Sequence, residues 1–159
     1  MKISIRKGLG FGLTSGIITT LGLIVGLNSG TNSKVVVLGG ILVIAIADSL
    51  SDALGIHISE ESGSKSITKK ALWESTTSTF LFKLIFALTF IIPIWFLELQ
   101  LAVIVSILWG ILLISLFSFW ISRKNGRNPT KAVLEHLIIA IAVIIITHFV
   151  GKGIANLSG

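Results

Sequence analysis

Five long apolar runs joined by short polar turns make up nearly all of this chain, and they restrict its fold more than any other feature. They extend about from Leu9 to Leu27, Val35 to Ile58, Thr79 to Leu97 with a helical lead-in from Lys70, Leu101 to Ile121, and Ala132 to Val150. A helix needs about 20 mainly apolar residues to cross hydrocarbon, and each run is close to that length. Each is too long for a strand, and none alternates with period two. Lipid offers no hydrogen-bond partners, so only helices or closed barrels satisfy every backbone group there. The expected fold is an all-α integral membrane protein, a single five-helix transmembrane domain over residues 1–159. Composition agrees: 53% of residues are hydrophobic and 13% are charged, about half the ~25% charged share of a soluble domain.

The turns carry their own signals. Asn28 to Lys34 is a Gly/Ser/Asn turn, Ser59 to Lys70 a polar loop, and Leu97 to Gln100 barely a turn. Ser122 to Thr130 holds Asn125-Gly126 and Asn128-Pro129, both turn formers. Asn128 is placed to cap the last helix, with Pro129 at its first position.

The formal charge is +6, and its distribution reads as topology. Lys2, Arg6 and Lys7 precede the first run; Lys65, Lys69 and Lys70 lie between the second and third; Arg123, Lys124, Arg127 and Lys131 lie between the fourth and fifth. The other side holds Lys34 and Lys152. Basic loops stay in the cytoplasm, so the N-terminus is expected there and the C-terminus outside. Nucleic-acid binding would need a basic face with aromatic or groove-reading elements, and no such face is present. Trp73, Trp95 and Trp120 fall near run ends, as an interfacial belt would, whereas mid-run Trp109 reads as packing. The basic start followed by an apolar run is signal-like, but no A-x-A-like cleavage site follows, so the first helix is expected to be retained.

There is no Cys, hence no disulfide or thiolate site. No nucleophile–base arrangement, phosphate-binding Gly-rich loop or HExxH motif occurs; the expectation is not an enzyme, with no resident cofactor. The chemistry-bearing residues are few. Asp48 and Asp52 stand in the second run, where an ionised carboxylate is costly and normally faces a cavity or a partner. Their i,i+4 spacing puts both on one face. Such a pair can bind a hard cation through oxygen or carry protons. It can equally form a salt bridge to Lys83, the one basic residue well inside a helix, unless Lys83 snorkels to the surface. His57 is a candidate metal or proton group; His136 and His148 read as packed or hydrogen-bonded. Glu60, Glu61 and Glu74 flank the cytoplasmic loop as solvated groups able to attract cations to an entrance. Gly8, Gly12 and Gly16, then Gly22, Gly26 and Gly30, form two small-residue stripes for close helix approach, either within the chain or at a dimer interface.

The stretch Phe11 to Gly30, FGLTSGIITTLGLIVGLNSG, resembles the first helix of the vacuolar iron transporter family, whose pattern is FGLxDGxxTxxxLxxGLxGA. Ser51 to Ser59, SDALGIHIS, is similar to that family's SMGxGEYLS-like segment, and Pro93 matches a proline late in its third helix. Five helices with a cytoplasmic N-terminus and outer C-terminus agree as well. The pattern's helix-one Asp falls on Ser15, its helix-two Met on Asp52, its later Glu on Ile56 and an earlier Glu on Ile44, while Asp48 falls on a small residue. The cytoplasmic metal-binding helices that many members insert after helix two do not fit between Ser59 and Lys70. Carboxylate in place of thioether makes a harder site, suited to Mn²⁺, Mg²⁺, Ca²⁺ or Fe²⁺.

The resemblance implies a homodimeric divalent-cation transporter, paired through its first helix, that moves iron or manganese out of the cytoplasm in exchange for protons. Asp48 and Asp52 are then the central ligands or proton carriers. Ser15 and Thr14 line the path from helix one, and His57 and Glu60 form the cytoplasmic entrance. The absence of Cys and the short loops suit a prokaryotic plasma membrane. Two rival expectations are a membrane scaffold that keeps the fold without transport, and a transporter of protons or a small organic cation.

Overall fold

The computed structural model describes residues 2–63 and 67–158. They form α1 (Ile3–Thr31), α2 (Lys34–Gly63), α3 (Lys69–Thr89), α4 (Ile91–Phe96), α5 (Leu99–Lys124) and α6 (Pro129–Ser158). With α3 and α4 taken as one segment, five helices among the described residues are long and apolar enough to cross a membrane. The helices outrun the apolar runs at almost every end, because hydropathy marks only the stretch suited to hydrocarbon. Helix α2 continues through Glu60 and Glu61 to Gly63, so the first five residues of the expected Ser59–Lys70 loop are helix. Lys65, counted among the topology-setting charges, lies outside the described residues.

Local chemistry explains the boundaries. Asn32 ends α1 in the left-handed region at φ 45°, which Asn tolerates, and its N–H closes on the Asn28 carbonyl. Thr68 caps α3 by accepting from the Ala71 N–H at 3.2 Å. The third span breaks at Phe90. Pro93 has no N–H to offer the Thr89 carbonyl, and the turn tightens so that the Phe90 N–H reaches Ala87 O at 3.2 Å. At the end of α4, Lys34 Nζ donates to the carbonyls of Trp95 (3.0 Å) and Leu97 (2.9 Å), supplying partners that the helix end lacks. Gly126 takes a positive φ of 66° in the turn after α5. Asn128 Oδ1 then accepts from the N–H groups of Thr130 and Lys131, the cap expected before Pro129.

Helix α1 is the hub. It packs against α2, α3, α5 and α6, and 56% of its most apolar window is buried against 6% for α6. Its two glycine stripes are used within the chain. A Cβ at Gly12 would sit 2.6 Å from the Thr79 carbonyl, and one at Gly16 would sit 3.0 Å from that of Lys83, so the first stripe seats α3. Gly22, Gly26 and Gly30 face Val143, Thr147 and Gly151, so the second seats α6. The core is Ile17, Leu21, Ile24, Val37, Ile41, Phe90, Ile94 and Ile114, each at most 1% exposed. On the outside, α2 presents Val43, Ile46, Leu50 and Leu54, and α6 presents Ile138, Ile145, Ile146 and Phe149. An unbroken apolar exterior of this kind is stable against hydrocarbon and not against water.

The basic residues Lys2, Arg6, Lys7, Lys69, Lys70, Arg123, Lys124, Arg127 and Lys131 sit at the ends of α1, α3, α5 and α6 that share one side of the bundle, here the basic end. There Lys124 lies over the Trp120 ring and Arg123 over Phe119.

Candidate functional site

Asp48 is the midpoint of the 30-residue α2, and Lys83 is near the middle of the Lys69–Phe96 span. At 1.5 Å per residue, each is about 20 Å from its helix ends, so both belong at mid-depth of a ~30 Å hydrocarbon layer. The fold joins them. Lys83 Nζ lies 2.5 Å from Asp48 Oδ2 and in contact with Asp52 Oδ2. It also donates to Ser15 Oγ at 2.9 Å, while the Ser15 hydroxyl donates to Asp52 Oδ2 at 2.7 Å. Lys83, Ser15 and Asp52 thus close a ring, and Asp48 is a further partner of the ammonium. The Asp48 oxygen is off the direction of a hydrogen bond, so its contact is charge against charge.

Each helix supplies its part for a local reason. The i,i+4 spacing stacks Asp48 and Asp52 on one face of α2. Gly16 carries no side chain, which lets the backbone of Lys83 approach α1 and puts the ammonium beside Ser15. The side chain of Lys83 is 1% exposed, whereas those of Asp48 and Asp52 are 27% and 21% exposed. The cation is sealed inside the bundle and the anions reach its flank. One ammonium against two carboxylates leaves the centre with a net charge of −1 when all three are ionised.

The remaining expected residues stand apart. Thr14 donates back to the Gly10 carbonyl at 2.8 Å and touches neither carboxylate by hydrogen bond. His57 pairs through Nδ1 with Thr76 Oγ1 at 2.9 Å and sets its ring edge-on to Trp73. Glu60 accepts from Ser75 at 2.5 Å and pairs with Lys7 at 3.1 Å. Eight residues separate it from Asp52, about 12 Å along the helix. No group of three or more His, Cys, Asp or Glu side chains converges among the described residues. His136 and His148, read as hydrogen-bonded, are so: they meet Ser118 at 2.6 Å and Ser29 at 2.7 Å.

The two sides of the centre differ. From Lys83 toward the basic end, the buried face of α3 is Thr79, Ser78 and Ser75, and Ser75 leads to Glu60. Beyond Glu60 is a cleft of about 530 Å³ lined by Lys2, Ser4, Lys7, Lys70 and Glu74. From Lys83 toward the opposite end, the same face is Ala87 and then Phe90 and Ile94 of the α4 segment. The polar part of this buried face therefore lies on the side of the basic end. The hydroxyl row and Ser15's bridging role were the parts missed in the sequence. The row was visible as Ser75, Thr79 and Lys83 at i,i+4 spacing, while Ser15 was named from the resemblance alone and its bridge depends on tertiary contact.

No protein-family model, no curated protein and no solved structure matches the chain.

Proposed function

We propose that the chain is a proton-coupled cation transporter of a prokaryotic plasma membrane, with Asp48 and Asp52 as the exchanging centre and Lys83 as the group its cargo displaces. The observation that carries this reading is two carboxylates sharing one sealed ammonium at mid-depth. A cation bound by both carboxylates and a protonated Lys83 cannot occupy the same place. A divalent cation entering the pair drives off one proton from Lys83 to water, which takes the centre from net −1 to net zero and removes the repulsion between the ammonium and the entering cation. Cargo binding and proton release are thereby one event. Charged groups held inside a membrane bundle are typical of ion and proton routes, and oxygen-only ligands suit hard divalent ions.

The basic end faces the cytoplasm by its excess of Lys and Arg, so the hydroxyl row and the Glu60 cleft form the cytoplasmic approach. The resemblance of the first two helices to the iron transporter family supports iron or manganese as cargo and export as the direction. Ser15 completes the centre; Thr14, His57 and Glu60 belong to its approach. A second copy would meet α1 on the flank of Phe11, since α3 and α6 occupy both glycine stripes.

The test is uptake of Mn²⁺, Fe²⁺, Co²⁺, Mg²⁺ and Ca²⁺ into proteoliposomes holding the full chain, with pH read inside, beside the Asp48→Asn/Asp52→Asn variant. Uptake of one ion with opposite proton movement, abolished in the variant, is expected. No uptake of any ion by folded protein refutes the metal reading, and proton-linked flux insensitive to all five ions would make the cargo a small cation. A second reading is a scaffold in which the triad only locks α1, α2 and α3 together. The complete burial of Lys83 with every charge paired favours it, and it predicts no flux at all.

A further inference from the structure

Hydroxyls inside these helices usually fold back on their own backbone. Thr14, Thr19, Thr76, Ser115 and Thr147 each donate to the carbonyl four residues earlier, at 2.8, 2.9, 2.9, 2.7 and 2.8 Å. Among the described residues, three buried hydroxyls make no hydrogen bond of any kind: Thr20 of α1, Ser49 of α2 and Ser106 of α5, each 0% exposed. The buried amide oxygen of Asn28 in α1 is likewise unpartnered. Leaving such a group dry costs about 1–3 kcal/mol, and buried polar groups of this kind are the usual holders of internal water.

Their heights are ordered. Asp52 meets Ser15, and a Cβ on Gly40 would meet Leu27, which sets Ser49 level with Ile18. A Cβ on Gly110 would meet Leu21, which sets Ser106 level with Val25. Taken along α1, the four oxygens stand at the levels of residues 18, 20, 25 and 28. They start one turn beyond Ser15 and rise about 15 Å toward the end opposite the basic one. In that half, α1, α2, α4 and α5 form a closed ring, since α1 touches α2 and α5, and α4 touches both of those. Three of the four walls supply an oxygen. Ala45, Ala87 and Ala102 are the small buried residues of this half, among larger buried side chains.

We propose that this half of the bundle holds a file of ordered water on Ser49, Thr20, Ser106 and Asn28, linking the Asp48–Lys83–Asp52 centre to the end opposite the basic cleft. The site takes water, and through it protons. It gives the transport reading its second access route. It rests, though, on unpartnered buried oxygens and not on transport, so absent metal uptake leaves it standing.

X-ray radiolysis of the full chain in lipid nanodiscs tests it, because hydroxyl radicals formed from bound water oxidise the side chains beside them. Leu21, Ile24 and Val25 are 0–5% exposed. They are expected to be oxidised in the wild-type chain, and Thr20→Val with Ser106→Ala is expected to abolish that label while exposed Ile3 keeps it. Unlabelled Leu21, Ile24 and Val25 in the wild-type chain overturn the proposal without recourse to any variant. Label that persists in a folded double variant overturns the assignment of these hydroxyls as the holders.

Discussion

Removing the Lys83 ammonium and removing its two carboxylates should cost different amounts, and removing all three should cost least. Breaking a buried ion pair by deleting one partner typically destabilises by about 3–5 kcal/mol, because the survivor is left charged and unpaired. In Lys83→Met the survivors are Asp48 and Asp52, at 27% and 21% exposure. Two carboxylates that face one vacated place can share a proton, so the cost is placed at the low end, about 3 kcal/mol. In Asp48→Asn/Asp52→Asn the survivor is an ammonium that is 1% exposed, keeping Ser15 Oγ as an acceptor, and the cost is placed at about 5 kcal/mol. The triple variant leaves no charge and a shape close to the original. Neutralised buried triads are often neutral or better in stability, so its cost is about 1 kcal/mol after allowance for imperfect packing. The assay is equilibrium unfolding of the full chain in mixed micelles, followed by helicity. A triple variant whose loss equals the sum of the other two would refute the coupling, since contacting groups must be non-additive. A Lys83→Met loss larger than that of the double Asn variant would refute the claim that the cation, not the anions, is the sealed member.

Two further outcomes follow from packing and from a helix end. Gly12→Ala places a Cβ 2.6 Å from the Thr79 carbonyl, so α1 and α3 must separate at a loss of about 1–3 kcal/mol. Gly10→Ala, with nothing within 4 Å, should gain up to about 1 kcal/mol from helix propensity, and thermal unfolding of the two side by side checks both signs. Lys34→Met removes the donor from the Trp95 and Leu97 carbonyls, costing about 1–2 kcal/mol; hydrogen exchange at the α4–α5 junction should rise while exchange in α1 is unchanged.

The five spans were readable because lipid imposes a length, and length survives without any knowledge of neighbours. Their ends were not readable from hydropathy: Ser59 to Gly63 is polar yet helical because Glu60 is held by Ser75 and Lys7 from two other helices. The break at Phe90 was latent in Pro93, whose missing N–H acts one turn earlier. For the candidate centre, the spacing of Asp48 and Asp52 gave their shared face, and the energetic cost of lone charges in lipid demanded a partner, for which Lys83 was one of two options. What no spacing could supply was the direction of Lys83: a lysine at mid-helix can snorkel outward or turn inward. The choice is made by Gly12 and Gly16, which bring α3 close enough to α1 for Ser15 Oγ to accept a hydrogen bond from the ammonium. The same closeness joins the glycine stripe to the chemistry. A stripe whose spacing suits packing within the chain and assembly alike is what holds the ammonium against both carboxylates. Side chains added along it should therefore disturb the charge centre before they disturb any association between chains.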